Sequence, residues 1–211
     1  MQWNPPADSS WILKQILNRR AAIDDNQQWE QTLQFDKFNT GKHYQLIRGG
    51  REQVTWKKVL FHNNARPRAK FHLWLVLVGR ILTKDRLTKF GIITDKGCCF
   101  CQEDETIDHL YFGCRYIERI WRTILTWMGY NRIGELWNAE QEWIIREANK
   151  KGWRRQLLKT ALAETAHMIW KVRNEAIFHQ KLPDEDVVKQ IHYIVAIRGN
   201  MLKSLSNHIN R

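Results

Sequence analysis

Apolar residues along this chain recur at intervals of three and four, and no convincing stretch alternates at intervals of two. That period belongs to helices with one buried face. "SSWILKQIL" sets Ile12, Leu13, Ile16 and Leu17 on one side, with Ser9 or Ser10 placed to cap. "AAIDDNQQWEQTLQF" is less regular and predicts a short helix running into a loop. Tyr44, Leu46 and Ile47 predict a short helix that stops at Gly49 and Gly50, and "VTWKKVLF" predicts another behind Thr55. Pro67 opens a helix with a thick apolar face over residues 69–82. Thr83 is placed to cap a shorter helix at 84–90, ended by Gly91, and Thr106 to cap one at 107–112. In "YIERIWRTILTWMG", Ile117, Ile120, Trp121, Ile124, Leu125 and Met128 share one side, with Gly129 as the stop. A loop region at 130–140 follows, and the helical pattern returns from Ala139. The longest candidate spans 153–179. Pro183 opens a final helix with Asp184, Glu185 and Asp186 in its first turn, where carboxylates complement the helix dipole.

The predicted fold class is mainly α, a multi-helix domain, with no internal repeat and no low-complexity linker. Three parts are expected: a helical lead-in at 1–53, a central domain at 54–129 and a C-terminal helical segment at 139–211 packed on it. Hydrophobic residues make up 43% of the 211, enough for a sizeable core, and most of the eleven tryptophans, including Trp56, Trp74 and Trp121, are expected inside it. No apolar run reaches the length of a membrane span, and "MQWNPPADSS" has neither the basic nor the apolar part of a secretory signal. An intracellular protein with no membrane association is expected.

All four cysteines fall in "GCCFCQEDETIDHLYFGC", between Cys98 and Cys114. Cys98, Cys101, His109 and Cys114 read as C-x2-C-x7-H-x4-C. A C-x-x-C turn lets two thiolates reach one ion, and a His and a Cys about a helical turn apart supply two more corners of a tetrahedron. Three soft thiolates and one imidazole suit Zn2+ in a closed, structural site, a zinc-knuckle-like loop. Two other readings stay open: disulfides, which need an oxidising compartment and in which vicinal Cys98 and Cys99 would be strained, and plain buried thiols. Cys99 competes with Cys98 for the first ligand position, with Cys98 favoured.

Net charge is +12, unevenly spread: residues 51–100 hold eleven Lys or Arg against three Asp or Glu, while 101–150 hold six against nine. A concentrated basic face is the electrostatic footprint of a nucleic-acid binder, although it also fits the solvated surface of a basic protein. Arg66, Arg68, Lys70, Arg80, Lys84, Arg86, Lys89 and Lys96 are the candidate phosphate contacts. Tyr111, Phe112 and Tyr116 could stack on unpaired bases or belong to the core. The carboxylate clusters "EDE" at 103–105 and "DED" at 184–186 read as solvated or capping groups rather than catalytic ones.

Taken together, residues 54–121 resemble the zinc-binding domain that follows the reverse transcriptase in plant non-LTR (LINE-type) retrotransposons. The resemblance lies in Trp56, Pro67, Phe71 with Trp74 and Leu75, Thr83 and Leu87, Cys98 and Cys101, Glu105 to Leu110 with Cys114, and the pair Ile120-Trp121. "IWKVRNEAIFHQ" is similar to a segment found downstream in such proteins. The resemblance implies Zn2+ on Cys98, Cys101, His109 and Cys114, and a domain that holds template RNA or target DNA beside the reverse-transcriptase portion, in the nucleus rather than the cytoplasm. The chain has no Tyr-x-Asp-Asp turn to hold two Mg2+ ions and no RNase H carboxylate set, so no enzymatic activity is expected of it. The competing reading is a zinc-stabilised helical protein-interaction domain that has lost nucleic-acid binding. Either a fragment of a larger element or a stand-alone gene would fit.

Overall fold

The computed structural model describes residues 54–180 and 187–200, together with Ser10, Trp11, Lys14, Gly41, Tyr44 and Gly49. The chain divides into two compact units, Met1–Gln53 and Val54–Arg211. The helices expected around residues 9–17 and 44–47, and the helix start at Pro183 with Asp184, Glu185 and Asp186, fall largely or wholly outside the described residues.

From residue 54 on, the described residues form seven α-helices: α1 (Lys57–Leu60), α2 (Pro67–Leu77), α3 (Lys84–Lys89), α4 (Arg115–Trp127), α5 (Trp137–Ala148), α6 (Trp153–His179) and α7 (Val187–Asn200), with a π-turn (His109–Gly113) before α4. Among these residues there is no strand, only an isolated bridge between Gly97 and Asp104. The spine is α6. It packs against α2, α7, α5 and α4. Every residue from Leu157 to Ala166 is buried, so this helix is enclosed on all sides over nearly three turns. Ala161, Ala163 and Ala166 have almost no side chain to separate the backbones, which lets the neighbouring helices close in.

Helix α2 buries Ala69, His72, Leu73 and Val76, an i, i+3, i+4, i+7 stripe, and Pro67 takes its first position. It ends at Leu77, well before the expected residue 82. The reason is Gly79, whose φ of +64° is a left-handed conformation that side chains disfavour. The Arg80 N–H then donates to the Leu75 carbonyl at 2.8 Å and the Gly79 N–H to Val76 at 3.0 Å, a Schellman cap that closes the helix. The same pair of bonds closes α3 at Gly91 and α4 at Gly129. Helix α5 begins at Trp137, inside the expected loop.

Thr55 and Thr83 do not cap with their side chains. Trp56 takes the cap position of α1, and the Thr83 hydroxyl donates to Asp85 Oδ1 at 2.5 Å. The amides that open α3 are satisfied from across the fold: Lys84 N–H donates to Glu105 Oε1 at 2.9 Å and Asp85 N–H to the Glu105 carbonyl at 3.2 Å. A residue of the cysteine-rich loop thus holds the start of α3.

The buried core runs from Val59 to Val195 and takes in residues of α1, α2, α4, α5, α6 and α7. Trp121 is fully buried, whereas Trp56 and Trp74 are half-buried, short of the core positions expected. The Trp121 indole N–H donates to Glu140 Oε1 at 2.7 Å, and Arg132 donates to Glu140 Oε2 at 2.6 Å.

Candidate metal centre

The loop is built by short-range bonds. Cys98 N–H donates to the Glu103 carbonyl at 2.6 Å and Gln102 N–H to the Cys98 carbonyl at 3.0 Å, with Gln102 in a left-handed conformation. These bonds fold the C-x-x-C stretch into a tight turn. Thr106 does cap as its position suggests, its hydroxyl accepting from His109 N–H at 3.1 Å. The segment behind it is not the regular helix expected at 107–112. It is a π-turn, broken where Tyr111 leaves the helical region (φ −103°, ψ 89°) and Phe112 turns to φ 83°. Cys114 N–H closes the turn on the His109 carbonyl at 2.7 Å, which brings the fourth ligand back beside the third.

The result is one cluster. The ligand atoms of Cys98, Cys101, His109 and Cys114 all lie within 4.8 Å of one another. Cys101 Sγ is 3.1 Å from His109 Nε2, and on the far side of that imidazole Nδ1 is 3.4 Å from Glu103 Oε2. A carboxylate behind the ring is the usual way to orient a metal-binding histidine. Cys98 and Cys114 are fully buried and Cys101 half-buried. The four cysteines are free thiols, and Cys99 lies outside the cluster.

The donor chemistry fits a divalent cation. Hydrogen bonds from Cys114 and Cys99 hold the Cys98 thiol well below the usual range, while Cys98 as acceptor, together with burial, pushes the Cys114 thiol up. Burial raises Cys101. One thiolate is thus stabilised at the expense of its neighbours, and a bound cation is what lets three sulfurs carry negative charge together.

The sequence comparison agrees with this geometry. Residues 38–121 match the family of zinc-binding domains in reverse transcriptase. All four ligands lie inside the match. No curated protein and no solved structure matches the chain. Zn2+ is therefore the metal of this Cys3His cluster. With four protein donors the site is structural: Cys98, Cys101, His109 and Cys114 would hold the ion, and its chemistry is to neutralise the thiolates and cross-link the loop.

The zinc-binding domain is tied to the C-terminal helices by Glu105, whose local sequence suits a solvated or capping carboxylate. Glu105 is fully buried and is gripped by Arg173 of α6, with Arg173 NH2 to Oε1 at 2.6 Å and Nε to both oxygens at 3.2 Å. Glu103 and Asp104, beside it, are exposed. Arg173 falls in "IWKVRNEAIFHQ", so this downstream segment touches the zinc loop directly.

The eight expected phosphate contacts divide. Arg66 is committed to Glu164 of α6, through its backbone N–H at 2.7 Å and its guanidinium at 2.7 and 2.9 Å. Lys84 is held by Asp95 Oδ2 at 2.6 Å and the Gly97 carbonyl at 2.7 Å, bracing the zinc loop. Arg86 donates to the Gly79 carbonyl and lies over Phe90. Lys89 is exposed and 3.7 Å from Asp85. Arg68, Arg80 and Lys96 are exposed and Lys70 half-exposed, and these four have no ion pair among the described residues. Tyr111 and Phe112 are core residues at 0% and 2% exposure, packed with Trp137 and, for Phe112, stacked on Trp121 at 4.9 Å. Base stacking is therefore closed to both. Tyr116 is half-buried and stacked on Phe100 at 5.0 Å.

Proposed function

We propose that this zinc-binding domain is a non-catalytic nucleic-acid-binding module of a retrotransposon-type reverse-transcriptase protein. The observation that carries the reading is a division of labour among charges. Arg66 and Lys84 are spent on buried or loop-bracing contacts, whereas Arg68, Lys70, Arg80 and Lys96 reach solvent with no ion-pair partner among the described residues. Unpaired cations displayed on one part of the sequence are what phosphate backbones require. Zinc would hold in place the loop that carries Lys96. The reverse-transcriptase portion of a parent protein is the natural partner, and the nucleus, where target DNA lies, the natural location.

The test is binding of labelled single-stranded RNA and DNA to the zinc-loaded chain across a salt series. Binding is expected to weaken steeply with salt. Changing Arg68, Lys70, Arg80 and Lys96 together to Gln should weaken it strongly while leaving zinc content unchanged. Loss of four phosphate contacts corresponds to a salt slope smaller by about 3 on single strands. No binding at low salt would overturn the reading in favour of a protein-interaction domain.

A further inference from the structure

Helix α2 carries aromatic residues on the side away from the core. Ala69, His72, Leu73 and Val76 are buried and share one side of the helix. At about 3.6 residues per turn, Phe71 and Trp74 fall on the opposite side. The Phe71 side chain is 60% exposed, and Trp74 is half-buried. Their ring centroids lie 5.6 Å apart, with the planes tilted by 36°. An i, i+3 pair on a helix stands side by side, so Trp74 props a phenylalanine ring that is open to solvent.

A single exposed Phe is ordinary, but this one lies between two cations. Arg68 and Lys70 emerge on opposite flanks of the aromatic pair, Arg68 one turn before Phe71 and Lys70 one turn before Trp74. Arg68 is exposed and Lys70 half-exposed, and neither has an ion pair among the described residues. No Asp or Glu occurs between Glu52 and Asp85, so nothing on α2 itself neutralises them. An open ring flanked by unpaired cations matches a strand of unpaired nucleotides. Each base has a π-face for the ring, and each linkage carries a phosphate for a cation. A duplex keeps its bases stacked inside and would leave the ring without a partner.

We infer that Phe71, propped by Trp74, is a base-stacking ledge, and that the nucleic acid taken by this module is single-stranded. The inference rests on the nucleic-acid reading and deepens it. Arg68 and Lys70 take phosphates of the strand whose base lies on Phe71. Tyr111 and Phe112, which the sequence offers for stacking, are closed inside the core, whereas Phe71 is open. Stacking on a ring does not read base identity, so the ledge tolerates any sequence.

The experiment uses the full zinc-loaded chain with a single-stranded DNA, the matching duplex and an abasic strand of the same length. Phe71→Ala removes an exposed ring and puts a good helix former in its place, so melting temperature and zinc content should hold. Phe71→Tyr keeps a ring. Phe71→Ala is expected to bind the single strand about five- to hundredfold more weakly, with the salt slope unchanged because no charge is lost. Its affinity for the duplex and the abasic strand should equal that of the wild type, and Phe71→Tyr should bind all three like the wild type. Arg68→Gln with Lys70→Gln should instead weaken all three and lower the single-strand slope by about 1.4. Unchanged single-strand affinity in Phe71→Ala, in a chain weakened by the four-cation change to Gln, would overturn the ledge and leave the nucleic-acid reading standing. An equal loss on all three ligands would also overturn it, since the ring would then serve only the shape of α2. No binding of any strand by the wild type at low salt would take down both.

Discussion

Arg173 and Glu105 stand 68 positions apart and form an enclosed ion pair, with side chains 4% and 0% exposed. The carboxylate also holds the first amide of α3, so one buried group connects the zinc loop, α3 and α6. Removing one member of such a pair leaves the other charge buried and unanswered, which typically costs about 3–5 kcal/mol. Arg173→Met should therefore lower stability by about that much in urea denaturation. The double change Glu105→Gln with Arg173→Met should cost less than the two single changes summed. Additive costs would show that the two side chains do not act as a pair.

The cysteine cluster makes a sharper claim. Cys101→Ser and His109→Ala should each lose zinc to a chelator far more readily than wild type and melt lower, with hydrogen exchange rising over residues 97–121. Cys99→Ala should keep one equivalent of zinc per chain, because Cys99 lies outside the cluster. If the two ligand variants melted like wild type with unchanged metal content, the ligand set would be wrong.

Gly113 closes the π-turn between the third and fourth ligands, and an added Cβ there would sit 2.7 Å from the Asp108 carbonyl oxygen. No flexible side chain can move aside, since the obstacle is backbone. Gly113→Ala should destabilise by about 1–3 kcal/mol, as overpacking does, and weaken zinc retention through displacement of Cys114. The checks are a denaturation curve and a chelator competition on the same preparation.

Acid sensitivity has a source beyond the metal. His72 is buried on α2, its Nε2 2.7 Å from the Tyr111 hydroxyl, and its pKa is lowered from 6.5 to about 3 by burial first and then by His167. Burial lowers His167 as well. Below pH 6.5 the unfolded chain binds a proton at His72 that the folded chain refuses. The stability associated with a neutral His72 is complete above pH 6.5 and is lost as pH falls toward 3, by about 1.4 kcal/mol per unit. His72→Gln should flatten the stability profile across that window. Zinc release, followed in parallel, separates this effect from protonation of the thiols, and an unchanged slope would remove His72 as the cause.

The sequence by itself determined whatever is decided within a few residues. Apolar periodicity marked the helices because their contacts are local in sequence. Gly91 and Gly129 marked helix ends because a left-handed cap depends on one residue's φ. The ligand spacing announced the metal because a C-x-x-C turn and a His–Cys pair one turn apart meet an ion with little help from the rest of the chain. Even here Gly79 carried a signal as plain as Gly91's, and the apolar run through Ile81 and Leu82 obscured it.

Only the tertiary structure decided which charges face water. Glu105 resembles its exposed neighbours Glu103 and Asp104, and nothing local distinguishes it. Its burial follows from Arg173, supplied by a helix 68 positions away. Arg66 looks like its exposed neighbour Arg68, but Glu164, 98 positions on, claims its guanidinium. Tyr111 and Phe112 leave the stacking set because the π-turn points them at Trp137. A charge's role depends on its desolvation and its partner, and both are fixed by chain segments that meet only when the helices pack.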